Sequence, residues 1–219
     1  MRRRGLVIML CFLILAAASA SASASEPEKP RAAPVGSSAS ASEFVRRSCR
    51  ATSFPRACER SLMPRAPAVG RSPRRLAHAA LAVAADAAGN CSAYIGRPPS
   101  TSSSSSKGRG AMGDCAETVR DAADLLRQSA AELAGRMGRA SSPRFAWRLS
   151  NVQTWASAAL TDADTCLDSL SAYAGSGGAK PRDDVKRRVV AVEQATSNAL
   201  ALVNRLQPPR PRRRVPLHQ

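Results

Sequence analysis

Between Pro73 and Leu206 the sequence carries one pattern four times: an apolar or small residue at every third or fourth position, with polar and charged residues between. This is the period of a helix buried along one side. The first stretch runs from about Pro73 to Tyr94, with Leu76, Ala80, Val83 and Ala87 on its stripe. The second runs from about Ala111 to Met137, with Met112, Cys115, Val119, Ala122, Leu126, Ser129 and Leu133. The third starts at Ser142-Pro143, a serine N-cap followed by proline at the first helical position, and stops at Gly175-Ser176-Gly177-Gly178. Its stripe is Val152, Trp155, Ala159, Ala163, Cys166, Leu170 and Tyr173. The fourth opens at Pro181 with Asp183-Asp184, suited to a positive helix end, and carries Val185, Val189, Val192, Thr196, Ala199, Val203 and Leu206. Short links between most of these stripes predict an all-α, up-down-up-down four-helix bundle. Aromatics are only 4% of the chain, so a sandwich or barrel would lack the residues its strands need. Alanine on the stripes predicts close helix approach and a thin core, which gains from covalent cross-links.

Upstream the sequence changes character. Arg2, Arg3 and Arg4 precede an apolar run from Leu6 to Ala18 and then alternating Ala and Ser, the form of a secretory signal peptide over residues 1–24. The apolar run is too short to span a bilayer. Residues 25–41 read as a flexible linker, residues 42–206 as the folded domain, and residues 207–219 as a basic Pro/Arg-rich tail. The expected location is therefore extracellular, where disulfides form.

Loss of the leader removes Cys11 and leaves Cys49, Cys58, Cys91, Cys115 and Cys166, an odd number. Cys49 and Cys58 flank a tight proline-containing turn, while Cys115 and Cys166 lie on the apolar stripes of the second and third helices; spacing alone leaves other pairings open. Cys91 is the odd one, inside the glycosylation sequon Asn90-Cys91-Ser92. With His78 and His218 as the only histidines, no metal site and no cofactor is expected, nor a histidine-based catalytic centre. The formal charge is +17, with arginine spread along the chain and densest at Arg210, Arg212, Arg213 and Arg214. Secretion and scarce aromatics argue against nucleic acid as the partner. The tail suits a polyanion such as cell-wall pectate.

Several motifs resemble those of the plant invertase and pectin methylesterase inhibitor family. Ser48-Cys49-Arg50-Ala51-Thr52-Ser53-Phe54-Pro55-Arg56-Ala57-Cys58 is similar to its N-terminal Cys-x-x-Thr-x-Tyr/Phe-Pro-x-x-Cys hairpin. Asp114-Cys115-Ala116-Glu117 with Asp121-Ala122-Ala123-Asp124-Leu125-Leu126 resembles its second-helix signature. Val152-Gln153-Thr154-Trp155 through Thr161, closing with Asp164-Thr165-Cys166-Leu167-Asp168, resembles the third, and Ser197-Asn198-Ala199-Leu200-Ala201-Leu202-Val203 the fourth. The resemblance covers about residues 43–206. It implies a helical hairpin leading into the bundle, with bridges Cys49–Cys58 and Cys115–Cys166.

It also implies a function. Inhibitors of the methylesterase branch cover their enzyme's substrate cleft in a one-to-one complex, through their second, third and fourth bundle helices. The matching residues here are Glu117, Asp121 and Asp124, whose spacing of four and three puts them on one helix face away from the apolar stripe, together with Thr165 and Gln153; Gln153 stands where such an inhibitor carries Asn. Pro143-Arg144-Phe145 resembles instead the Pro-Lys-Phe motif of invertase inhibitors. The expectation is a non-enzymatic, secreted pectin methylesterase inhibitor of the apoplast. Acid invertase is the alternative target, and a basic wall-retention protein without inhibitory activity the further alternative. Because the sequence closes at Gln219, soon after Leu206, no catalytic β-helix of a methylesterase precursor is expected.

Overall fold

The computed structural model describes residues 35–97, 106–172 and 179–208. The expected signal peptide, most of the expected linker, Tyr173, Gly175–Gly178 and the arginine cluster of the tail lie outside them. Among the described residues the secondary structure is entirely helical.

The first helix, α1 (Val35–Cys49), begins inside the stretch expected as linker. Its Ala41, Val45 and Cys49 recur every fourth residue and are all buried, so this Ala/Ser sequence becomes helical once one side has something to pack on. A tight turn leads to α2 (Pro55–Leu62), which has proline at its first position. The Cys49–Cys58 disulfide closes this hairpin with a Cα–Cα distance of 5.5 Å. A 3-10 turn at Met63–Arg65, the short α3 (Ala66–Val69) and Gly70 at φ +59° then redirect the chain. That positive φ suits a residue without a side chain.

The four long helices are α4 (Pro73–Ile95), α5 (Ser106–Ala134), α6 (Pro143–Ala172) and α7 (Ala179–Asn204). Each packs on its neighbours in sequence and α7 closes back on α4, so the chain runs up, down, up and down around one core. Helix starts follow local chemistry: Ser72 caps α4 by accepting from Arg75 N, and Ser142 caps α6 by accepting from Phe145 N. The end of α5 is capped from another helix. Arg74 of α4 donates to the carbonyls of Leu133 (2.8 Å), Ala134 (2.9 Å) and Gly135, placing a cation on otherwise unpaired carbonyls at the negative helix end.

Alanine dominates the bundle interior, with Leu76, Leu81, Val119, Leu126, Leu133, Val152, Val185 and Val189 as its larger fillers. Small residues let α5 and α6 approach closely, and the Cys115–Cys166 disulfide joins them with only 4.4 Å between Cα atoms. The two helices are antiparallel in a register that a second contact confirms: Ser129 Oγ donates to the Val152 carbonyl at 3.4 Å. Beyond them Arg148 forms a bidentate pair with Glu132, at 2.8 and 2.9 Å.

The hairpin is joined to the bundle by a buried amide and by Arg205 Nη1, which donates to the Ser48 carbonyl at 3.0 Å. Asn198 of α7 is 3% exposed; its Oδ1 accepts from Phe54 N and its Nδ2 donates to the Phe54 carbonyl, both at 3.0 Å. Replacing Asn198 with alanine strands Phe54 N and leaves the Phe54 carbonyl with only its bond from Cys58 N, at 3.0 Å. We expect a loss of about 2–3 kcal/mol in equilibrium urea unfolding, with earlier proteolysis between Cys49 and Cys58. A variant as stable as the parent would show that packing and the bond from Arg205 Nη1 to the Ser48 carbonyl, at 3.0 Å, hold the hairpin without the amide.

Candidate functional site

The three carboxylates expected on one face are there. Glu117, Asp121 and Asp124 are all exposed on the outer side of α5, while Cys115, Val119, Ala122 and Leu126 of the same helix are buried. Asp124 is held by Arg127 one turn on, at 2.6 Å; with both side chains more than half exposed, this pair orients the carboxylate but adds little stability.

Sequence reasoning missed a fourth carboxylate. Asp162 lies on α6 one turn before Cys166, and the antiparallel register brings it alongside Asp121. Partial burial is the main reason its carboxyl is held above the ordinary carboxylate range, and the negative charge of Asp121 adds to the effect. Only the cross-helix register, which the disulfide supplies, could have pointed to it.

The sign of this shift determines a pH response. In the folded chain Asp162 keeps its proton to higher pH than in the unfolded chain. Stability from this group is therefore complete at acid pH and is lost as pH rises from the ordinary carboxylate range through the raised folded value. Asp162→Asn removes both the cost of burying the charge and the repulsion by Asp121, so its thermal midpoint should exceed that of the parent by more at pH 7 than at pH 4. Equal increments at the two values would show that neither burial nor Asp121 raises the Asp162 carboxyl.

Thr165 follows Asp162 by three residues, is exposed, and stands at the level of Glu117 because its neighbour Cys166 is bonded to Cys115. Its hydroxyl donates to the Thr161 carbonyl at 2.9 Å, as that of Thr161 does to Ser157 at 3.3 Å. Both hydroxyls are thus bonded within α6, and both side chains remain exposed. The result is a row of exposed threonines on α6, with exposed Asp164 and Asp168 on the same helix, beside an acidic row on α5, a surface suited to a partner carrying basic groups.

Gln153 stands apart. It lies twelve residues before Thr165, about 18 Å along the helix, and its Nε2 donates to Asn204 Oδ1 of α7 at 2.8 Å. Trp155, expected on the core stripe, is half-buried at its margin. Of the tripeptide that resembles the invertase motif, Pro143 and Arg144 are exposed but Phe145 is buried in the core.

The opposite margin of α5 is basic. Arg120 and Arg127 line a shallow groove with Gly89, Ser92 and Ala93 of α4 and with Gly96, which follows that helix. Asn90 is exposed on α4, whereas Ser92, the third residue of its sequon, is buried with its hydroxyl donating to the Ala116 carbonyl at 2.9 Å. Cys91 is buried and unpaired; burial pushes its thiol up to about 11, against the opposing pull of Arg188, so it is not a thiolate at neutral pH. That guanidinium lies over the Tyr94 ring, 3.9 Å from its centroid, linking α7 to α4.

Residues 43–202 match the family described as plant invertase/pectin methylesterase inhibitor. The chain is 38% identical to the 21 kDa protein of Daucus carota, over 77% of this chain and 86% of that protein. It is 37% identical to pectinesterase inhibitor 11 of Arabidopsis thaliana, over 80% of this chain and 85% of that one. Pectinesterase inhibitor 9 of the same plant is also 37% identical, over 74% and 79%.

Proposed function

From its membership of the plant invertase/pectin methylesterase inhibitor family, to which the chain belongs, we propose that it acts as a secreted inhibitor of a pectin methylesterase in the plant cell wall. Its family is one of inhibitors rather than enzymes. The proposed action is occlusion: one inhibitor covers the substrate cleft of one enzyme, with Glu117, Asp121 and Asp124 facing basic groups at the rim and Thr165 over the centre. The observation that carries this reading is the exposed acidic row on α5 beside the exposed threonines of α6. Asp162 joins that face next to Asp121, and Gln153 enters it only if the partner also reaches α7.

Acid invertase is the second reading, favoured by the exposed Pro143 and Arg144 at the start of α6. It is the weaker one, because the third residue of the motif, Phe145, is used by the core. Retention on pectate through the arginine-rich tail would accompany either activity or, in a protein that inhibits nothing, replace it. The two targets are separated by incubating the oxidised chain with a purified pectin methylesterase and, in parallel, with an acid invertase. Loss of methylesterase activity alone is the expected result. Loss of invertase activity alone would reverse the assignment and move attention to Pro143 and Arg144.

A further inference from the structure

A second patch of exposed chemistry sits at the turn joining α5 to α6. Trp147 is 65% exposed and is the large apolar side chain left in solvent among the described residues. Its neighbours Phe145 and Leu149 supply the burial that the core needs at this level, so packing does not explain an indole here. Arg144 precedes Trp147 by three residues on the same side of the helix.

The preceding loop is folded back onto this helix start. Ser142 Oγ donates to the Arg139 carbonyl at 2.7 Å and Arg148 Nη1 donates to the Arg136 carbonyl at 2.9 Å. Gly138, at φ +82°, makes the turn of this loop, and a Cβ there would lie 3.1 Å from Ser142 Oγ. The exposed side chains of Arg136, Arg139 and Arg144 are thus carried with Trp147 on one small tip. Glu132, the acid closest in sequence, is already engaged by Arg148. Among the described residues none of the three guanidiniums has an ion-pair partner.

We propose that this tip is a binding site for an anionic polysaccharide, with a sugar ring stacked on Trp147 and neighbouring uronate carboxylates paired with Arg136, Arg139 and Arg144. A polyuronide offers what the patch requires, a flat C–H face and a carboxylate on every residue. Arginine pairs with carboxylates through forked hydrogen bonds. Single-stranded nucleic acid fits less well, since it is held by successive stacking aromatics and only one is present. A protein hot spot would surround the indole with apolar groups that exclude water, where here the surroundings are charged. Trp147 lies fifteen residues from Asp162, about 22 Å along α6, so the acidic face stays free while the tip is occupied. The inference does not depend on which enzyme the acidic face meets.

The test is direct binding of the full mature chain to polygalacturonate, with polyphosphate as a polyanion that has no ring to stack and a single-stranded RNA as a third probe. Trp147→Ala should weaken polygalacturonate binding about tenfold, Trp147→Phe should restore most of it, and the Arg136→Gln/Arg139→Gln pair should weaken it while lowering its salt dependence. Polyphosphate binding should be indifferent to residue 147. These are surface positions, and an unchanged thermal midpoint checks folding. The proposal is overturned if Trp147→Ala binds like the parent, or if deletion of residues 209–219 alone abolishes binding. It is equally overturned if RNA binds more tightly than polygalacturonate with the same dependence on Trp147.

Discussion

Replacing Cys115 and Cys166 together by alanine should lower the stability of the oxidised chain by about 4 kcal/mol. The bridge spans 51 positions of sequence, so the unfolded chain it constrains is long. By the same reasoning the Cys49–Cys58 bridge, spanning nine, contributes about 2–3 kcal/mol. The effect is large relative to the core, because alanine fills so many interior positions that little transfer free energy is available from side-chain burial. Urea unfolding followed by far-UV circular dichroism measures it. A shift worth less than about 1 kcal/mol would mean that the α5–α6 interface is self-sufficient.

The second large effect concerns function. Reversing charge at the centre of the acidic face, with Asp121→Lys and Glu117→Lys together, should weaken methylesterase inhibition by about a hundredfold, with helicity unchanged. Both residues are exposed and make no intramolecular ion pair among the described residues, so the fold has no use for their charge. Attraction across such a rim acts mainly on association rate, and the loss should shrink as salt is raised. Asp121→Ala should weaken inhibition in the same direction but by less, since it removes attraction without adding repulsion. Full potency in the double reversal would take the α5 face out of the contact and turn attention to the α6–α7 side, where Gln153 meets Asn204.

Much of the fold was legible because the starts of α4 and α6 and most of the buried stripes of α5, α6 and α7 are written in local chemistry, whereas α5 starts at Ser106 and ends at Ala134 rather than running from Ala111 to Met137. Ser142-Pro143 starts α6 where expected, and Val185, Val189, Val192, Thr196, Ala199 and Val203 are all buried. The inward face of α4 was less legible. Val83 and Ala87 are half-buried, whereas Leu81, Ala84 and Ala88 occupy the core, because a helix with alanine on every side has little contrast for periodicity to reveal. The helical start of α1 was hidden for a related reason: Ala/Ser composition is compatible with linker and helix alike, and only packing of Ala41 and Val45 decides between them. In the candidate site the acidic row followed from spacing within one helix. The approach of Asp162 to Asp121, and the turning of Gln153 toward α7, depend on contacts between helices, about which spacing within one helix is silent.

The central claim is that one folded chain blocks one pectin methylesterase. It is tested most directly by adding increasing amounts of the oxidised mature chain to a purified plant enzyme held well above the dissociation constant, and following residual activity. The account predicts a linear fall that breaks at one equivalent and stays near zero beyond it. Activity that is unaffected by a verified, folded excess of the chain, across the methylesterases tested, would contradict it.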